Sequence, residues 1–306
     1  MHPLIECVPN FSEGRDLARI DALESAIAGV PGTVILDRTS DRDHHRSVIT
    51  FAGDPQPVVE AALRAVSLAA QLIDLNHHRG VHPRLGALDV LPFVPLAGAT
   101  LEDCVALAHR AGHRIWNELG IPVYFYEAAA LRPDRLQLEH VRRGQFEGLR
   151  EAVLLDETKQ PDLGGPVLHP TAGAVIVGAR KVLIAYNIDL ATPDIEVAKQ
   201  IARKIRASNG GFPAVKALGL ALPSRNQVQV SMNLTDFEQT PVHVVYDEVS
   251  RLAQRYGIEI AGSELIGLLP RKAVELAFAH YLKLPRFRSG DVIEQRMEIG
   301  RSRTDV

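Results

Sequence analysis

The feature that most constrains this chain is the order in which short apolar runs and amphipathic stretches follow one another, because that order occurs twice. In the first half, Ile5 to Val8 reads as a strand, and Asp16 to Ala28 as a helix ended by Gly29 and the Pro31-Gly32 pair. Val34 to Asp37 and Ser47 to Ala52 read as two more strands. Pro55 to Leu75 reads as a helix with Asp54 as its N-cap, and Ala87 to Val94 as a buried strand. Leu101 to Leu119 puts Val105, Leu107, Ala108 and Ile115 on one helix face, and Val123 to Tyr126 is a strand after Pro122. Residues 128–172 read as helix and loop, broken by the Pro/Gly-rich stretch Gln160 to Pro166.

The second half restarts the pattern. Ala174 to Gly178 and Val182 to Asn187 are β-branched and apolar, and Thr192-Pro193 introduces a helix over Asp194 to Ala207. Val215 to Leu222 and Gln227 to Asn233 read as strands joined in a hairpin by Pro223 to Asn226. A helix follows over Pro241 to Tyr256, then a strand over Ile258 to Ala261 and a helical remainder. Each half therefore runs strand–helix–strand–strand–helix–strand. That order predicts an α+β fold of two ferredoxin-like (split βαβ) subdomains, residues 1–173 and 174–306, each a sheet with helices on one face. No repeat is visible in the residues themselves, so the likeness is one of element order. Two such lobes facing each other across a substrate cleft would place the ligand at their interface.

Composition narrows the class. Of the 306 residues, 46% are hydrophobic and 23% charged, enough to bury a core, and the formal charge of -3 points neither to nucleic acid nor to a membrane surface. The two cysteines, Cys7 and Cys104, make neither a disulfide framework nor a four-cysteine zinc site. The first residues lack the basic and apolar regions of a signal peptide, and no apolar run is long enough to span a bilayer. The expectation is a soluble, reduced, cytoplasmic protein.

Histidine is the informative residue type. Five of the twelve histidines fall in two short segments: His44 and His45, then His77, His78 and His82. The spacing of His78 and His82 suits a metal only on a continuous helix, and Gly80 and Pro83 break one, so no metal is expected. A loop histidine followed by Arg84 suits proton transfer on an anionic substrate, since histidine titrates near neutrality and arginine offers a fork for a carboxylate. On the residues alone, a turn histidine and a solvated arginine remain the blander and better reading. Pro9-Asn10-Phe11-Ser12-Glu13-Gly14 presents polar groups after a strand, or else Ser12 caps the next helix. Gly178-Ala179-Arg180-Lys181 reads as a tight turn with two cations, a binding element or a solvated hairpin tip. Asn187, among apolar neighbours, needs hydrogen-bond partners if buried. Asn233 and Asp236 either play similar polar roles or cap the next helix. No Walker A, G-x-G-x-x-G or G-x-S-x-G motif occurs, which disfavours those nucleotide grips and an α/β-hydrolase.

Three blocks in order carry a resemblance: Glu6 to Gly14, His82-Pro83-Arg84-Leu85-Gly86-Ala87-Leu88-Asp89, and Gly178 to Lys181 with Ala185-Tyr186-Asn187. Over residues 1 to about 285 the chain resembles glutamate formiminotransferases. The resemblance implies transfer of the formimino group of N-formimino-L-glutamate to N5 of tetrahydrofolate, in histidine breakdown, by two subdomains with substrate between them, commonly in a homodimer. It implies tetrahydrofolate as co-substrate. In animals the domain is fused to a cyclodeaminase; here a separate cyclodeaminase partner is expected. The catalytic histidine of the family falls on His82. Its folate-binding segment falls on Gly164, Gly165, Pro166, Val167, Leu168, His169, Pro170, Thr171, Ala172 and Gly173. His45 stands where an asparagine is expected, and Val81 where an acidic residue can occur.

The implied chemistry suits these residues. N5 attacks the amidine carbon, and one histidine can take the N5 proton and return it to the departing glutamate nitrogen. Carboxylates on both substrates call for cations, with Arg46, Arg84, Arg180 and Lys181 as candidates and Asn10 and Asn187 as polar contacts. Formyl transfer from N-formylglutamate, a metal-dependent hydrolase and a non-catalytic folate-binding module are the alternatives. The roles of His44, His45, His77 and His78 stay open.

Overall fold

The computed structural model describes residues 3–42, 44–80, 82–222 and 225–295. Val81, Pro223, Ser224 and the last stretch of the expected C-terminal helix lie outside the described residues. Contacts divide the chain into two compact units, Met1–Lys181 and Val182–Val306. The division falls later than residue 173/174, the boundary that the sequence suggests.

The first unit contains β1 (Ile5–Cys7), β2 (Asn10–Phe11), α1 (Leu17–Ala28), β3 (Thr33–Asp41), β4 (Arg46–Gly53), α2 (Pro55–Leu72), β5 (Leu88–Pro95), α3 (Leu101–Leu119), β6 (Val123–Glu127), α4 (Leu138–Val141), α5 (Gln145–Leu155) and β7 (Val175–Ala179). Across the sheet the strands run β3, β4, the broken strand β1/β2, β5, β7 and β6. Pro9, which has no N–H to give to a ladder, separates β1 from β2. The pairs β5–β7 and β6–β7 are parallel; the others are antiparallel. Strand β7 thus lies between β5 and β6, which is why the unit extends past residue 173. Gly178 and Ala179 are strand residues, and β7 and the next strand belong to different sheets, so the expected tight turn and hairpin tip at 178–181 are not formed.

Local signals account for the helices. Asp16 caps α1 by accepting from the amides of Ala18 and Arg19, a role that Ser12 does not take. Thr100 and Asp103 form a reciprocal capping box at α3, which ends at Gly120 in the left-handed region (φ 65°). Strand β5 is buried from Leu88 to Val94, as a strand enclosed on both faces must be, and it runs through the centre of the core.

The second unit contains β8 (Ile184–Leu190), α6 (Ile195–Ile205), β9 (Val215–Leu222), β10 (Gln227–Leu234), α7 (Val242–Arg255), β11 (Ile260–Ile266) and α8 (Arg271–Tyr281). Its sheet order is β11, β8, β10, β9, all antiparallel. Ile184, Ile188, Val228 and Val230 pack with Ile201 and Ile205 of α6 and Val245 and Val249 of α7. The architecture is therefore α+β, with two sheets in two units. No described helix is long and apolar enough to cross a membrane.

Candidate active site

The site lies at one end of the first sheet, where the connection from α2 to β5 meets three neighbours. Those are the turn after β2, the β3–β4 connection and the segment leading into β7. The segment before β7 docks onto the α2–β5 connection through backbone contacts. Leu75 N donates to Thr171 O (2.9 Å), Ala87 N to Ala172 O (2.9 Å) and Ala174 N to Leu85 O (3.2 Å). Gly173 has φ 70°, and a Cβ on it would stand 2.0 Å from the Leu85 carbonyl oxygen, so only glycine lets the two segments approach. His169 closes the turn, its Nδ1 accepting from Ala172 N at 3.0 Å. Residues 169–173 thus border the histidine loop, whereas Gly164 lies against Pro122 and Trp116; Val167 is exposed, and Leu168 and Ala172 are buried.

The histidine loop is closed at its base. Arg84 Nε donates to His78 Nδ1 (3.1 Å), and its two terminal nitrogens donate to the Glu147 carboxylate at 2.7 and 2.6 Å. An arginine can only donate, so His78 Nδ1 is the bare nitrogen and its Nε2–H donates to the His45 carbonyl (2.9 Å). Burial holds the His78 imidazole below the usual histidine range. The His45 ring stacks on His78 with centroids 4.2 Å apart and reaches the buried Glu13 carboxylate at 3.0 Å. Glu13 in turn accepts from the amides of Gly14, Arg15 and Asp16. His45 adopts a left-handed backbone (φ 51°), uncommon for a side-chain-bearing residue, within this network. Ser12 binds the same loop, its hydroxyl donating to the Gly86 carbonyl at 2.7 Å.

His82 lies partly exposed in the loop that this clasp closes. Its Nδ1 is 2.7 Å from the Pro83 carbonyl, which only accepts, so Nδ1 carries the proton and Nε2 is left with a lone pair. Burial pushes the His82 pKa down to about 4; the positive charges of Arg46 and Arg142 add to this, and Asp89 opposes it. The ring is therefore neutral near pH 7.

Asp89 organises the charges around it. Its side chain is fully buried; one oxygen accepts from the amides of Leu85 (2.7 Å) and Gly86 (3.3 Å), and the other from Arg46 (2.9 Å) and Arg142 (2.5 Å). Burial raises the Asp89 pKa, but Arg142, Arg46 and the Leu85 amide more than offset it, so it is lowered. Arg46 also donates to the Asn10 side-chain oxygen at 2.8 Å, and burial brings its pKa down to about 10.

The structure thus brings Asn10, Arg46 and His82 together, with residues 169–173 docked on the segment that carries His82. Arg84, expected as an anion contact, is held here by Glu147 and His78. Arg180 lies on the sheet face that carries Asn10, further along the strands. Asn10 is opposite Val90, whereas Ala179, which precedes Arg180, pairs with Phe93. There Arg180 hydrogen-bonds Tyr126 and opposes the burial-raised Glu6 carboxyl. Lys181 follows it, exposed. Asn187 is buried in β8 of the second unit, beside Asp189. His77 is highly exposed and 3.8 Å from Asp74, and His44 pairs with Asp41 at 2.9 Å. Both ring nitrogens of His78 hydrogen-bond within the protein, and no group of three potential ligands occurs among the described residues.

Sequence reasoning passed over Arg142, Asp89, Glu147 and Glu13. Asp89 was visible only as the end of a block, and Arg142 and Glu147 lie in a stretch without a motif.

Residues 4–180 match the formiminotransferase domain, N-terminal subdomain, and residues 185–298 match the formiminotransferase domain. The chain belongs to the formiminotransferase family. It is 48% identical over 297 residues to a glutamate formimidoyltransferase of Thermoplasma acidophilum, covering 96% of this chain and 97% of that one. It is 45% identical over 287 residues to a glutamate formimidoyltransferase of Streptococcus pyogenes, covering 94% and 96%. A formimidoyltransferase-cyclodeaminase of Sus scrofa is 45% identical over 287 residues, covering 92% of this chain and 53% of the longer protein.

Proposed function

We infer that the protein is a glutamate formimidoyltransferase, moving the formimino group from N-formimino-L-glutamate to N5 of tetrahydrofolate. The observation that carries this reading is the end-to-end match, at 48% and 45% identity, to two stand-alone proteins of that name. The geometry suits the reaction. N5 attacks the formimino carbon and a new N–C bond forms, while His82 Nε2 takes the N5 proton. The tetrahedral intermediate then collapses, its bond to the glutamate nitrogen breaks, and His82 returns the proton to that nitrogen. A neutral ring with a fixed Nδ1–H presents the bare Nε2 that the first step needs.

In this reading residues 164–173 line the acceptor's place, supported by the docking of Thr171 to Ala174 against the segment that carries His82, and tetrahydrofolate is a co-substrate. Arg46, with Asn10, takes donor or intermediate charge, and Arg180 and Lys181 serve carboxylates further along the sheet. Asn187 is read as a further polar contact to substrate. Arg84 serves as a positioning residue. Each unit is read as ferredoxin-like, supported by the order 2-3-1-4 of the first four strand lines and the equivalent order in the second sheet. A cytoplasmic homodimer in histidine breakdown, working with a separate cyclodeaminase, goes with this reaction.

Purified protein should convert tetrahydrofolate with N-formimino-L-glutamate and not with N-formyl-L-glutamate, read as the spectral change of the folate product. Transfer from the formyl donor alone would reassign the substrate, and transfer from neither would remove the reading.

A further inference from the structure

We propose that Arg142 and Arg46, bridged by Asp89, form a subsite for one carboxylate of the acidic amino-acid donor, and that Arg142 makes the enzyme selective for such donors. The inference rests on the formimino-transfer reading and adds a residue that this reading does not need. Arg142 follows α4 in sequence and is brought to β4 and β5 by Asp89 alone among its described hydrogen bonds.

Three observations point to an anion. The first is charge: two guanidiniums share one carboxylate, so one positive charge is left over beside His82. The second is an orphan: Arg142 Nε is buried and makes no hydrogen bond, a state that costs free energy unless a ligand supplies the acceptor. The third is access. The Arg46 and Arg142 side chains keep 11% and 12% of their surface exposed, whereas Asp89 has none. A carboxylate entering there meets planar N–H donors already held in place, as bidentate recognition requires. His82 feels both arginines, so the subsite and the proton carrier lie in one neighbourhood. Asp89 then acts as a fixed spacer, and its own lone pairs are taken by the loop amides and the two arginines.

The test uses wild type, Arg142→Gln and Arg142→Lys. It measures steady-state kinetics with both substrates and binding of L-glutamate by calorimetry. Arg142→Gln should raise the KM for N-formimino-L-glutamate and the Kd for L-glutamate on the order of 10- to 100-fold, the loss of charge-assisted hydrogen bonds. The KM for tetrahydrofolate should not move. Arg142→Lys keeps the charge and the Asp89 pair, and should fall between the two; it also carries the test if the Gln variant does not fold. An unchanged donor KM and L-glutamate Kd in both variants would overturn the subsite while leaving the transferase reading intact. A rise in the tetrahydrofolate KM alone would give Arg142 to the acceptor and also overturn it. A wild-type protein that transfers nothing but binds L-glutamate through Arg142 would remove the reaction and keep the subsite. A wild-type protein that binds no L-glutamate removes the subsite.

Discussion

Replacing Arg84 with Met separates two roles that its place in the sequence leaves open: a contact to the substrate, or a clasp that closes the loop bearing His82. The Arg84 side chain is 7% exposed and Glu147 is 56% exposed. The fork between them is therefore solvent-screened and worth about 1 kcal/mol rather than a buried pair's value. Losing the Arg84 Nε bond leaves His78 Nδ1 buried without a donor, at a cost of about 1–3 kcal/mol. Methionine keeps most of the volume, so no large cavity adds to this. The expected loss is about 2–4 kcal/mol, or roughly 5–15 °C in the melting temperature of a unit this size. A loosened loop misplaces His82, and kcat should fall about 10- to 100-fold with little change in the donor KM.

The pH dependence of stability gives a second readout of the same clasp. The Arg84 guanidinium holds the Glu147 carboxyl down at about 2. Its stabilisation is full above the ordinary Glu range and is lost as pH falls from there towards 2, because the unfolded chain takes up the proton first. Arg84→Met should flatten this acid limb, and Glu147→Gln should flatten it equally. Calorimetric melting at several pH values, together with steady-state kinetics, decides the matter. A raised donor KM with an unchanged melting temperature would show that Arg84 faces the substrate and that the clasp is not energetically significant.

Asp89→Asn leaves two arginines without their buried carboxylate; it should cost about 3–5 kcal/mol by thermal unfolding and abolish transfer, and a variant of wild-type stability would refute the organising role of Asp89. His82→Ala should lose turnover while keeping tetrahydrofolate binding, measured by fluorescence titration; retained turnover would remove His82 as the proton carrier. Because the free enzyme's His82 has a pKa of about 4, kcat/KM should hold through the ordinary histidine range and fall only as pH approaches that value. The same depression makes the unfolded chain the better proton acceptor between the two values, so native stability is lost as pH drops through that range, and His82→Ala should remove that part of the slope. Gly173→Ala, forced against the Leu85 carbonyl at a positive φ, should raise the KM for tetrahydrofolate and spare that for the donor; an equal rise in both would remove the segment's assignment to the acceptor.

The elements that the sequence revealed are those whose signals are local. Helix α3 carries its own capping box and terminal glycine, and its bounds match the expected Leu101 to Leu119. The strand–helix order was legible in both halves because alternation and helical spacing are written into each segment. Strand β7 was assigned to the wrong unit because its partners, β5 and β6, are reached by parallel pairing across long connections, and nothing within Val175 to Ala179 records that. The Pro/Gly stretch before it looked like a linker, but Gly164 and Gly173 serve tight turns and close backbone approach inside one unit.

The three histidines of the 77–82 loop show why chemistry is harder to read than fold. All three are the same residue type in one short segment, yet His77 is solvated, His78 is locked by Arg84 and the His45 carbonyl, and His82 keeps a free nitrogen. Gly80 and Pro83 argued against a continuous helix there, and none of the described residues between α2 and β5 is helical. The charges that His82 feels come from elsewhere in the chain: Arg46, Asp89 and Arg142 arrive from β4, β5 and the end of α4. An arginine's role is likewise set by whether a carboxylate reaches it first. Glu147 reaches Arg84 and uses up its fork, whereas Asp89 is divided between two arginines and cannot neutralise both. The candidate anion site is therefore where acceptors run short, a shortage that appears only once the fold has brought distant residues together.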